Sequence, residues 1–288
     1  MATTTAQMVK ELREQTGAGM MDCKKCLDEA GGDLEKAVEL VRKAGLARGG
    51  KQASREAKEG LLAWKAAPDG SVITVVQMSA GTDFATRNPE YRTLLNDIAA
   101  VAFEIGSDRL TAESPGSGPA LLTAPFKATT VGEAVQSLAG KISENIQLTR
   151  VVRFSGTIGW YIHHDAKQGA VVLLGGVSGA AAQELGKDVA MHAVFAKPTY
   201  LDRADVPAEV VAKEREIAEA LVKNDPKMQG KPAQVLEKIA VGRVDKFYAD
   251  KCLREQPYYR DNAKTVTQVV KEKAATVEAF SRFEVGVL

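Results

Sequence analysis

Apolar residues recur at helical spacing through the first 46 positions, and the pattern then switches to alternation. The stretch "TTTAQMVKELREQTG" opens on threonines suited to N-capping and closes on Gly17, with Met8, Val9 and Leu12 on one face. "MMDCKKCLDEAGG" predicts a second helix that ends at Gly31-Gly32. Asp33 caps a third, "LEKAVELVRKAG", in which Leu34, Ala37, Val38 and Val41 follow i, i+3, i+4, i+7 spacing and which Gly45 closes. Residues 1–46 therefore read as a three-helix unit, too small to hold much core of its own. Residues 47–58, polar, basic and glycine-containing, read as a linker.

Residues 59–148 read as a first α+β lobe. "LLAWKAA", the turn "PDG" and the β-branched "SVITVVQMSA" predict a hairpin. "AGTDFATRN" is a short strand-to-helix connection, followed by a helix over 89–106 and a loop-rich excursion over 107–126. "TVGEAVQSLAGKISENIQL" predicts a helix with Gly140 as its weak point. Residues 149–205 repeat this grammar as a second lobe, with strands in "VVRFSG", "TIGWYIHH" and "AVVLLGGV" and a helix in "AAAQELGKDVAMHAVFAKP". Residues 206–250 predict an antiparallel helical hairpin with one seam of Val210, Ile217 and Leu221 and another of Leu236, Ile239, Val244 and Phe247. Residues 251–288 read as a helix and a strand that returns to a lobe sheet. The fold class is α+β: a helical N-terminal domain, a two-lobed core with antiparallel sheets, and an inserted helical hairpin.

Composition narrows the function. The chain of 288 residues is 45% hydrophobic and 26% charged, ordinary for a soluble globular protein. A net charge of +1 offers no argument for nucleic-acid binding, and the basic run "RGGKQASREAK" reads as solvated linker. No stretch reaches the ~18 apolar residues of a membrane helix, and the first residues lack the apolar core of a secretory signal. Three cysteines do not make a disulfide framework, which suits a reducing cytoplasm.

Several constellations invite chemistry. Cys23 and Cys26 share a helix face beside lysines that would favour thiolate, yet a zinc site needs two further ligands and a redox pair wants a βαβ context. "LLGGVSGAAAQELGKD" resembles a phosphate loop, but no glycine stands five residues before Gly186, and Asp188 replaces the Ser or Thr after Lys187. His163 and His164 are adjacent in a strand and so point to opposite faces. His192 is alone on its helix. No Ser/His/Asp, Cys/His or paired-carboxylate site survives inspection. Asp83-Phe84 is left with two readings. Either Phe84 is an aromatic ring turned toward water beside a carboxylate, or it folds back under its helix while Asp83 or Thr82 caps it.

The run Leu12-Arg13-x-x-Thr16-Gly17-x-Gly19-Met20-Met21-Asp22-Cys23-Lys24-Lys25, followed by "LVRKAG", resembles the N-terminal signature of the bacterial translation elongation factor Ts family. "TDF" at 82–84, "ENI" at 144–146, "MHAVFAKP" at 191–198, "AVGR" at 240–243 and "FSRFEVG" near the end match that family in order. The resemblance implies a ubiquitin-associated-like N-terminal domain and a guanine-nucleotide exchange factor for elongation factor Tu, with no cofactor, metal or catalytic residue of its own and no nucleic-acid or membrane partner. It implies partner contacts through Leu12, Arg13, Met20 and Met21 in the bundle. Thr82, Asp83 and Phe84 would disturb the partner's magnesium and phosphate site, and the second lobe would hold a further domain near Ile142, Glu144, Asn145 and His192. The chain departs from the family pattern at Ala80-Gly81 and Ala85 around the "TDF" motif, at Ser143 where glycine is usual, and at Cys26 where alanine is usual. A looser Phe84 loop is one expectation from these departures. A binding module with a ubiquitin-associated-like domain and no exchange activity is the competing reading.

Overall fold

The computed structural model describes residues 5–52, 57–106, 119–224 and 231–286. Most of the 107–126 excursion lies outside the described residues. The N-terminal helices are α1 (Ala6–Thr16), α2 (Met20–Glu29) and α3 (Leu34–Gln52). Thr5 caps α1 by accepting from the Met8 N–H, and Gly17 ends it at φ 63°. The apolar faces meet in a small core of Val9, Leu12, Cys23, Leu27 and Ala37. The third helix does not stop at Gly45 as its sequence suggests but runs on to Gln52, through much of the expected linker. At Gly45 the helix continues, and its carbonyl lies against Gly140 of the core, whose missing side chain leaves room for it.

β1 (Glu59–Ala66) and β2 (Val72–Ala80) form the expected hairpin, and β5 (Ile146–Ser155) pairs antiparallel with β2. This corrects the lobe boundary: the second half of β5 belongs to the first sheet, and the residues from Ile146, expected as helix, are already strand. Between β2 and β5 lie α4 (Asp83–Arg87), α5 (Pro89–Ile105), α6 (Pro119–Leu122), the ribbon of β3 (Pro125–Phe126) and β4 (Thr129–Thr130), and α7 (Val131–Ile142). The second sheet has the order β10-β7-β6, from β6 (Thr157–Ile162), β7 (Gln168–Gly175) and β10 (Thr276–Glu284). Between β7 and β10 run α8 (Ala180–Ala196), the helical hairpin of α9 (Ala208–Asn224) and α10 (Ala233–Lys251), the ribbon of β8 (Pro257–Tyr258) and β9 (Asp261–Thr265), and α11 (Val266–Lys271).

The layers follow from burial. β2 is buried along nearly its whole length, so both of its alternating faces are covered. Val76 and Met78 face α5 and α7, whereas Ile73 and Val75 face a shared core with Val171 and Phe283 of the second sheet. The two sheets thus pack on one another, with α5 and α7 outside one and α8 and α11 outside the other.

The lobes repeat one plan. Each is a hairpin whose second strand pairs with a third strand, reached through a two-stranded ribbon and a helix. Thr130 with Glu133 and Thr265 with Gln268 form capping boxes on α7 and α11. Val131 N–H donates to the Ala124 carbonyl and Val266 N–H to the Gln256 carbonyl, each at 3.0 Å. Ser143 and Ala274, just before the third strands, take φ values of 58° and 56°.

The helical hairpin forms, but one seam is turned. Ala218 and Val222 are buried against Ala240 and Val244, while Ile217 and Leu221 remain exposed. One residue is a 100° step around a helix, and small alanines at the seam let the two helices close on the neighbouring face.

Candidate partner-binding site

Phe84 is 79% exposed, the most exposed large apolar side chain among the described residues. Its setting comes from local capping. β2 ends at Ala80, and Thr82 takes extended backbone (φ −136°, ψ 159°) to become the N-cap of α4. Its hydroxyl accepts from the Ala85 N–H at 3.4 Å. Ala85 and Thr86 turn inward and are buried, the Thr86 hydroxyl donating to the Asp83 carbonyl at 2.9 Å. That rotation leaves Phe84 on the outer side of a five-residue helix. Asp83 is paired with Arg87 at 2.8 Å, one turn on. Asn88 then caps α5, with Pro89 in its first turn, and Arg92 Nε donates to the Thr86 carbonyl at 3.0 Å. The fold-back reading of Phe84 is overturned, and Thr82 rather than Asp83 supplies the cap. The loop expected to be loose is tied at Gly81, whose N–H donates to the Asn145 carbonyl at 3.0 Å, and at buried Ala85.

The structure brings two distant motifs together here. α7 ends after Ile142 at Ser143, and Glu144 N–H donates to the Ala139 carbonyl at 3.1 Å. Glu144 then accepts from the Thr82 hydroxyl at 2.8 Å. Asn145 is 2% exposed, its side-chain oxygen accepting from Gln147. Ile142 is half-buried against the first core. Ile142, Glu144 and Asn145 thus belong with the Phe84 turn, not with a second-lobe surface.

His192 is not brought to this site. It is 1% exposed in the other lobe, where Nε2 lies 3.0 Å from Gln256 Oε1 and Nδ1 accepts from the Tyr259 N–H at 3.3 Å. An acceptor at Nδ1 places the proton on Nε2, so the ring is neutral, and burial pushes its pKa down. A direct contact through the His192 ring is therefore closed; the exposed large apolar side chain on the same helix is Phe195.

In the bundle, Leu12 is fully buried and serves the core, while Arg13 is exposed in the last turn of α1. Met20 and Met21 stand exposed where Gly19 opens α2. The bundle is docked on the core through α3 and α7. Arg42 Nη2 reaches Glu133 Oε2 at 2.9 Å and the Thr129 hydroxyl at 3.0 Å. These residues escaped the sequence reading; the one available signal was a glycine in the middle of an otherwise strong helix, Gly140.

The competing chemistries find little support. Cys23 and Cys26 are buried, and the Cys26 thiol is pushed up by burial and then by Glu29, which outweigh the pull of the neighbouring lysine toward thiolate. Cys23 Sγ is spent on the Ala18 carbonyl. Gly186 packs its backbone on Gly159, so it serves helix-to-sheet contact rather than phosphate. His163 and His164 lie beyond the end of β6, in the turn, with ring centroids 4.3 Å apart instead of on opposite faces. Among the described residues no group of His, Cys, Asp and Glu is arranged to hold a metal ion, and no helix is long and apolar enough to cross a membrane.

The family model described as Elongation factor TS matches residues 81–287. An elongation factor Ts from Methylococcus capsulatus is 42% identical over 286 residues, covering 98% of this chain and 92% of its own length. One from Saccharopolyspora erythraea is 41% identical over 288 residues, with 99% of each chain covered. One from Chloroherpeton thalassium is 37% identical over 298 aligned positions, again with 99% of each covered.

Proposed function

The chain belongs to the elongation factor Ts family, and from that premise we propose that it binds GDP-bound elongation factor Tu in the cytoplasm and promotes release of GDP so that GTP can enter. The observation that carries this reading is a bare phenylalanine held out on a braced turn, in the family's "TDF" motif. Phe84 inserts between helices of the partner's nucleotide-binding domain, with Asp83 beside it, and disturbs the magnesium and phosphate site. Burying a phenylalanine removes roughly 150–250 Å² from water. At ~25 cal/mol/Å² that is about 4–6 kcal/mol gross, before the cost of deforming the partner. The coupling is reciprocal: whatever factor the inserted ring takes from GDP affinity, GDP takes from the affinity of this chain. GTP binding then expels the factor, which needs no cofactor and performs no bond chemistry itself.

Arg13, Met20 and Met21 supply a second contact from the bundle. Leu12, Asn145 and His192 support these surfaces from beneath, since each is buried. Contacts with a further partner domain fall on the surface around His192, where Phe195 is exposed.

The test is release of a fluorescent GDP analogue from elongation factor Tu with and without this protein. Acceleration by the wild type and its loss in Phe84→Ala are expected. Binding to elongation factor Tu without any acceleration would instead make the chain a recruitment module.

A further inference from the structure

The Thr82 hydroxyl has two partners that fix its direction. The Glu144 carboxylate can only accept, so the hydroxyl hydrogen points to Glu144 Oε1 at 2.8 Å. The lone pairs are thereby aimed at the Ala85 N–H, which completes the cap of α4. Glu144 is itself seated on the main frame. Its N–H is bound to the last turn of α7, and the next residues enter β5, where Ile146 pairs with Ala80 of β2. The charge-assisted bond therefore links the outer helix bearing Phe84 to the rigid junction of α7 and β5.

We propose that Glu144 is a positioning residue for Phe84, acting through the Thr82 hydroxyl rather than by touching the partner. This rests on the exchange function proposed above and adds to it a cause for the preorganisation of the tip. A short helix that is free to rotate would spread Phe84 over many directions and lose binding energy to ordering on contact. With the hydroxyl locked, the ring is presented in one direction before the partner arrives.

A double-mutant cycle tests the assignment. Release of the fluorescent GDP analogue from elongation factor Tu is followed over a range of concentrations of wild type, Thr82→Val, Glu144→Ala and the double variant. Each single change is expected to lower the maximal rate on the order of tenfold, the size of one hydrogen bond to a charged group. The double variant is expected to be no slower than the slower single, because both remove the same bond. Glu144→Gln, which keeps an oxygen acceptor, is expected to recover most of the loss suffered by Glu144→Ala. Hydrogen exchange at the Ala85 amide, which needs no partner, is expected to quicken in Glu144→Ala and to be restored in Glu144→Gln. Losses that multiply to about a hundredfold in the double variant, or an Ala85 amide unmoved by Glu144→Ala, would overturn the positioning role and make Glu144 a direct contact. A wild type that fails to accelerate release at all would sink the exchange function instead, and the amide measurement would still decide the brace.

Discussion

Gly140 of α7 faces Gly45 of α3 so closely that a Cβ on Gly140 would overlap the Gly45 carbonyl. The bundle and the core touch there backbone to backbone. Helix propensity alone says that Gly140→Ala stabilises by about 0.5–1 kcal/mol. Packing says the opposite, because the obstacle is main chain and cannot swing aside. Gly140→Ala is expected to destabilise the protein by about 1–3 kcal/mol, read as a lower urea midpoint. A midpoint raised above wild type would refute the docking.

Phe84→Ala separates stability from function. The side chain is 79% exposed, so its loss is expected to change unfolding free energy by no more than about 0.5 kcal/mol. The same change is expected to slow GDP release from elongation factor Tu by about thirtyfold, the scale of a 2 kcal/mol hot spot. A large drop in stability would mean that the ring packs at home.

Ser143 holds a left-handed conformation (φ 58°) that glycine takes without strain. Ser143→Gly is expected to raise stability by up to about 1 kcal/mol, less the entropy that glycine adds to the unfolded chain. Thermal unfolding decides between a rise and a fall.

The buried neutral His192 makes stability depend on pH. Its folded pKa lies below the ordinary value of 6.5, because burial opposes the charge. As pH falls below about 6.5 the unfolded chain takes up a proton that the folded chain refuses, so the contribution is full above that value and is lost toward the depressed pKa. Between about pH 7.5 and pH 5.5 the wild-type urea midpoint is expected to fall more steeply than that of His192→Gln. Parallel slopes would show that the ring titrates freely.

The cysteines are expected to be silent. Cys23, Cys26 and Cys252 are all buried, and burial pushes the Cys252 thiol up to about 11. Iodoacetamide at mild alkaline pH is expected to label the native protein slowly and the urea-unfolded protein fully, as counted by mass spectrometry. Fast native labelling at Cys23 or Cys26 would reopen the redox reading.

Much of this was legible in the chain because capping and periodicity are local. Thr5, Asp33 and Gly17 announce helix ends, and the β-branched run "SVITVVQMSA" marks a buried strand. Phe84 in a surface turn was legible as an oddity. Its brace was not, because Glu144 lies 62 residues away and nothing near it in sequence names Thr82. Distance along the chain also hid the partner of β5, which follows α7 but pairs with β2. A glycine has two uses that look alike in sequence, ending a helix or admitting a neighbour: Gly45 suggests the first although α3 runs on past it, and Gly140 does the second by admitting the Gly45 backbone. Leu12 and His192 sit in motifs that suggest contact, yet both side chains are buried.

The shared plan of the lobes makes their turns comparable. The turn after β7, residues 176–179, occupies the place in the second lobe that Phe84 and its neighbours hold in the first, and it contains no aromatic residue. Here one lobe carries the exposed Phe84 and the other carries the helical hairpin, so a single plan of hairpin, ribbon, helix and third strand holds two different insertions. Grafting residues 81–88 of the first turn onto the second would ask whether that frame holds an exposed aromatic equally well in either lobe.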